Sequence, residues 1–121
     1  MRKFLSRVPY WPFLIVPAAA YGLGFLLNEI VISINNGQMP VLSPGGCSSA
    51  IAGVLFTEDD YIHSCMTGAS HLKFLSDWII IKGMGIASPG DFLIWGGDRV
   101  MWPALIIWAT LVIKSHMDST E

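Results

Sequence analysis

The chain is short of charge. Only 13% of its 121 residues are Asp, Glu, Lys or Arg, against 53% hydrophobic residues; an ordinary soluble domain carries about twice that share of charge. Surface charges keep a soluble protein in solution, so the deficit is more telling than the apolar excess. The net charge is −2, with no basic surface to neutralise a phosphate backbone, and no nucleic-acid partner is expected. Signatures of chemistry are scarce too. No Gly-Lys-Ser/Thr follows Gly45-Gly46, which excludes a phosphate loop. Neither C-x2-C nor H-x3-H spacing occurs, so a structural zinc site has little to stand on. No His falls within either long apolar run to hold a haem or pigment metal, and no cofactor is expected. Repeats and low-complexity segments are missing as well.

What the chain does have is two apolar runs. Val8 to Asn28 is free of formal charge. Its 21 residues, at about 1.5 Å each, cover roughly the 30 Å of a bilayer's hydrocarbon. Tyr10 and Trp11 stand where an interfacial aromatic belt lies. Pro9 and Pro12 fall near the entry, where a missing N–H costs least, and Pro17 predicts a kink. Arg2, Lys3 and Arg7 resemble the basic start of a signal peptide, and Ala18–Ala20 could mimic its cleavage site. The apolar character nevertheless continues through Leu26, Leu27, Ile30, Val31, Ile32 and Ile34, which favours a retained anchor.

The second run, Val100 to Ile113, is too short to cross alone and reaches spanning length only by including Asp98 and Arg99. Its start is well marked: Ser88 as N-cap, Pro89 at the first helical position, then Gly90 and Asp91 in the first turn. Trp95, Trp102 and Trp108 recur at helical intervals, and Lys114 marks the exit. The expected fold is an all-α membrane protein, a single unit over residues 1–121. Two transmembrane helices, about 9–34 and 89–114, are joined by a structured extramembrane loop, about 35–88. Within that loop, Asn35 to Pro40 and Ser43 to Gly46 are turn signals, and Thr57-Glu58-Asp59-Asp60 is an acidic, solvated patch. Leu72 to Ile81 is apolar but too short to span, and is read as an interfacial or re-entrant element.

Lys and Arg sit mostly outside the loop: Arg2, Lys3, Arg7 and Lys114 flank the helices, against Lys73 and Lys82 within it. The positive-inside rule then puts both termini in the cytoplasm of a bacterial inner membrane and the loop outside. An external loop meets an oxidising compartment, which favours a disulfide between Cys47 and Cys65. Free thiols, or a metal held by Cys47, His63, Cys65 and His71, are the alternatives.

Three segments together resemble an uncharacterised family of small bacterial multi-pass membrane proteins. Asn36-Gly37-Gln38-Met39-Pro40-Val41 resembles that family's Asn-Gly-Gly-x-Met-Pro element. His63, Thr67 and Leu72 to Asp77 with Trp78-Ile79 resemble its His…Thr…Leu-x-x-Leu-Gly-Asp-x-Ile segment. Ser88-Pro89-Gly90-Asp91 resembles its closing Ser-x-Gly-Asp. The likeness covers roughly residues 22–113. Ser76 stands where the family has Gly, the cysteine pair is extra, and the chain is expected to lack the family's upstream helices. The resemblance implies no reaction; it implies that the loop motifs form one structure with the helices.

Asp59, Asp60 and His63 are the residues suited to acid–base work, though no nucleophile accompanies them. Asp77 and Asp91 are expected to cap helix starts or tie turns. Asp98 and Arg99 are adjacent, so they point about 100° apart on a helix and pair poorly with each other. Each is expected to meet a neighbouring subunit or a lipid headgroup. Gly22, Gly24, Gly96 and Gly97 offer small surfaces for close helix approach. The expected function is a non-catalytic accessory or assembly subunit of a larger bacterial membrane protein complex, with other membrane subunits and lipid as partners. The alternative is a membrane-bound enzyme or transporter component that uses the His/Asp-containing loop.

Overall fold

A computed structural model describes residues 12–49, 52 and 60–118. The expectations for Arg2, Lys3, Arg7, Pro9, Tyr10 and Trp11, and for Thr57, Glu58 and Asp59, lie outside the described residues. Two long helices dominate: α1, Pro12–Ile34, and α2, Pro89–Met117. Both are long and apolar enough to cross a membrane. Only 17% and 6% of their most apolar stretches are buried within the chain. Val16, Leu26, Trp102 and Ile106 are each more than half exposed, so the apolar surface faces outward rather than into a core.

The helices meet antiparallel along one thin seam. On α1 the buried positions are Pro17, Gly24 and Val31; on α2 they are Gly90, Gly97 and Ala104. Each set repeats every seventh residue, the period that keeps one stripe of a helix facing a partner. Small residues let the backbones close. A Cβ on Gly24 would lie 2.9 Å from the Ile94 backbone nitrogen, and one on Gly97 would lie 2.7 Å from the Pro17 carbonyl oxygen. Glycine inside a helix costs about 1 kcal/mol against alanine, and close packing offsets that cost at Gly24 and Gly97. Gly22 and Gly96 face open space, so only one glycine of each expected pair serves this contact.

α1 ends where Asn36 and Gly37 turn left-handed, at φ 59° and 83°. The Gly37 N–H then donates back to the Ile32 carbonyl at 2.9 Å, closing the last turn. The Asn35 amide pairs with the His71 backbone in both directions, accepting at 2.8 Å and donating at 3.0 Å. The loop is thereby clipped to the end of the helix.

The connecting region is not all-α, which corrects the expected fold class. β1, Met39–Val41, pairs in parallel with β2, His63–Cys65. Asp77 bridges to the other side of β1: its N–H donates to the Pro40 carbonyl at 3.0 Å and its carbonyl accepts from Leu42 N–H at 2.7 Å. Pro40 is tolerated mid-strand because neither set of bonds asks for its missing N–H. β3, Ile79–Ile81, and β4, Gly85–Ala87, form an antiparallel hairpin that leads through Ser88 into α2. Gly83 and Gly85 supply its positive-φ turn positions, at 81° and 119°.

The segment read as an interfacial or re-entrant element folds as a 3-10 turn, Lys73–Leu75, followed by β3. Three-residue strands are too short to announce a period of two. The pairing of β1 with β2 joins segments more than twenty residues apart, which local pattern does not reveal.

Candidate functional site

Three polar groupings interrupt this apolar frame. The first closes the seam. Ser88 and Asp91 form a capping box: Asp91 N–H donates to Ser88 Oγ at 3.1 Å, and Ser88 N–H donates to Asp91 Oδ2 at 2.9 Å. Asn28 of α1 joins it, donating from Nδ2 to Asp91 Oδ1 at 2.9 Å and accepting from Ser88 Oγ at 2.9 Å. Gly90 is buried against this amide and the Gly24 carbonyl, and any side chain there would displace both. Every polar atom is answered within the group, so its work is to lock the start of α2 onto α1.

The second grouping lies at the small parallel sheet. The Asp60 carboxylate accepts the backbone N–H groups of Ile62 and His63, each at 3.0 Å. It also meets His63 Nδ1 at 2.9 Å. A carboxylate has only lone pairs to offer, so Nδ1 carries the proton and Nε2 is left to the other side. There it stands 4.0 Å from Asp77 Oδ2. The His63 backbone N–H, opposed in part by burial and helped by the His63 ring, holds the Asp60 carboxyl below its ordinary range. Asp77 goes the other way. Burial, reinforced by the negative charge of Asp91 and opposed by His63, pushes its carboxyl up to about 6.

Only 7% of Asp77 is exposed, and its Oδ1 is buried with no partner. Of the two roles expected from sequence, capping a helix start or tying a turn, its carboxylate makes no hydrogen bond that would serve either; its backbone serves the sheet and its side chain is buried. Asp60 and His63 share one hydrogen-bonded proton, while Asp77 lies beyond direct hydrogen-bond reach of His63. Among the described residues no activated nucleophile stands by: the Thr67 and Ser70 hydroxyls bond their own turn.

Cys47 and Cys65 stand at disulfide distance, with Cα atoms 5.7 Å apart, tying the loop after β1 to the end of β2. His71 is exposed and reaches α1 through its backbone. Among the described residues no three His, Cys, Asp or Glu side chains gather as metal ligands.

The third grouping is Asp98 and Arg99, both exposed on α2 away from the seam. Trp102 Nε1 donates to Asp98 Oδ1 at 3.2 Å. The Arg99 side chain has no hydrogen-bond or ion-pair partner among the described residues.

A family model, described as a family of unknown function (DUF5317), matches residues 16–101. The chain belongs to this family. The match runs from the first half of α1 through all three polar groupings and ends just past Arg99. It agrees with the expectation of an uncharacterised family. No curated protein and no solved structure matches the chain.

Asn28 went unread in the sequence, as did the lone buried carboxylate oxygen of Asp77. For Asn28 a signal existed: an amide inside an apolar run, one turn after Gly24, with a Ser-x-x-Asp start on the next helix. For Asp77 there was none, because its burial depends on the pairing of β1 with distant segments.

Proposed function

We propose that this DUF5317 member is a non-catalytic accessory or assembly subunit of a larger bacterial membrane protein complex. One observation carries the reading: two apolar helices share a seam and, among the described residues, leave their outer faces bare, with the charges of Asp98 and Arg99 on one such face. Lipid suits the apolar part of that surface. It does not suit two charged side chains within a span, which are ordinarily met by protein, by each other or by headgroups. Neighbouring membrane subunits and lipid are the partners this reading calls for.

In the same reading the chain crosses the inner membrane twice. Both termini are cytoplasmic, and the loop, with the first two family-like motifs and the cysteine pair, lies outside. The charge placement around the helices and the disulfide-distance cysteines support that orientation. Purification from native membranes in mild detergent tests the proposal: unlike membrane proteins should co-migrate with the chain. A lone small particle in bilayer-like nanodiscs and in detergent alike defeats the subunit reading. For orientation, Ser6→Cys should resist an impermeant thiol reagent applied to intact cells, while Asp60→Cys, with Cys47 and Cys65 both replaced by Ala, should label.

A second reading, an enzyme or transporter component, is favoured by one feature, the Asp60–His63–Asp77 arrangement with its unanswered carboxylate oxygen. Loss of a host transport or catalytic activity in Asp77→Asn, with assembly intact, selects this reading over the first.

A further inference from the structure

The polar lock is closed within the chain, and the Asp60–His63–Asp77 group buries its one unanswered oxygen, but the outer face of α2 lies open among the described residues. The geometry points to a second copy of this chain as its occupant: α2 pairs with α2 about a two-fold axis along the membrane normal, Asp98 of each copy meeting Arg99 of the other. This rests on the membrane-subunit reading and deepens it by naming one partner.

Four features of α2 lead there. The seam with α1 uses Gly90, Gly97 and Ala104, and none of the described residues covers the side of the helix turned away from them. That side carries a second stripe, Trp95, Trp102, Ile106 and Ile113, exposed at 39%, 64%, 67% and 61%. Such spacing lines up on one face of a helix. Asp98 and Arg99 straddle the stripe. Being successive residues they diverge by about 100°, so neither neutralises the other within one helix, yet one stands on each flank.

Charge complementarity then chooses the partner. Two chains inserted in a membrane by the same route have the same orientation, and a two-fold along the normal places residues of equal number at equal depth. Asp98 of one copy therefore faces Arg99 of the other at one level, and the reciprocal pair forms across the axis. One interface answers four charges without help from any other protein. Lipid tails answer none of them, and a headgroup reaches only charges that snorkel to it. Pro103 adds to the demand for donors. It has no N–H for the Arg99 carbonyl, so that oxygen lacks its usual helical donor. An incoming guanidinium brings five N–H groups, more than one carboxylate takes.

Cysteine cross-linking in native membranes tests this. With Cys47 and Cys65 both replaced by Ala, Ile106→Cys supplies a single thiol, and under a mild oxidant it should link to its own counterpart in a second copy. Ile107→Cys, about 100° further round the helix, should not. D98R and R99D should each lose the Ile106→Cys link at least tenfold, since like charges then meet. Co-expressing D98R with R99D under different tags should restore the link between the two tags. The D98R chain then carries two positive charges at this level and the R99D chain two negative ones, so both contacts across the axis are again between opposite charges. That rescue also shows that both variants insert and fold.

An Ile106→Cys chain that forms no self-link overturns the proposal, as does a self-link that survives in D98R or R99D alone. Failure of the mixed pair, with both variants present in the membrane, overturns it too. A link to an unlike protein gives the face to another subunit: the proposal then falls and the accessory-subunit reading stands. Conversely, a full self-link with no unlike protein on purification upholds the pairing and defeats the larger complex.

Discussion

Asp77→Asn should stabilise the protein at neutral pH and remove most of a pH dependence that the wild type shows. In the fold the carboxyl is 7% exposed, its Oδ1 has no partner, and its Oδ2 lies 4.0 Å from His63 Nε2. Burial, with the charge of Asp91, lifts its pKa from the ordinary aspartate value of 3.8 to about 6. The folded chain therefore holds this proton more tightly than the unfolded chain does. The stability that comes with the protonated carboxyl is complete below about pH 4 and is lost as pH rises through about 6. At 1.36 kcal/mol for each tenfold change in proton affinity, the difference is about 3 kcal/mol, an upper figure because His63 and water answer part of the charge. An amide is never ionised, so the variant escapes the loss while keeping the backbone bonds to Pro40 and Leu42. The assay is thermal unfolding in one detergent, without reductant, from pH 4.5 to 8. The wild-type Tm should fall by several degrees across this range; the variant should hold nearly level and unfold later at pH 8. A wild-type Tm that rises from pH 4.5 to 8, or a variant less stable at pH 8, refutes the assignment of a buried, poorly answered carboxylate.

The seam and the loop supply three further tests. Gly97→Leu must push against the Pro17 carbonyl and Tyr21, and should cost about 1–3 kcal/mol or more, read as a lower Tm; Gly96→Ala, with open space around it, should be neutral or better. Asn28→Ala leaves Asp91 Oδ1 and the Ser88 hydroxyl without their cross-helix partner. It should cost about 1–3 kcal/mol, and Asn28→Asp should be worse than Asn28→Ala, because it sets a second carboxylate against Asp91. Reduction of the Cys47–Cys65 bridge, 18 positions apart in the chain, should lower stability by about 3 kcal/mol on the loop-entropy model. Intact mass after alkylation, with and without reductant, reports whether the thiols were joined, and two alkylated thiols without reductant would remove the bridge from the account.

The sequence by itself determined the two long helices, and did so through features that are local. Apolar runs of spanning length, Ser88 and Pro89 at one helix start, and Asn36-Gly37 at the other helix's end act within a turn or two, so they can be read in order along the chain. Composition likewise announced that the surface is apolar, since too few charges exist to cover it. The cysteine pair was legible because only two were present. Tertiary structure decided the rest. The glycines that touch are Gly24, Gly90 and Gly97 and not Gly22 or Gly96, because only the antiparallel register of α1 on α2 determines which stripe faces inward. The loop became two small sheets because β1 found β2 and Asp77 from remote parts of the chain, through pairings that strands of three residues cannot signal. That pairing buries the Asp77 side chain with one oxygen unanswered, and so raises the pKa of an aspartate that looks ordinary in the sequence. Asn28 owes its role to the same cause: an amide in an apolar run becomes a lock only when Ser88 and Asp91 are brought against it from sixty residues away.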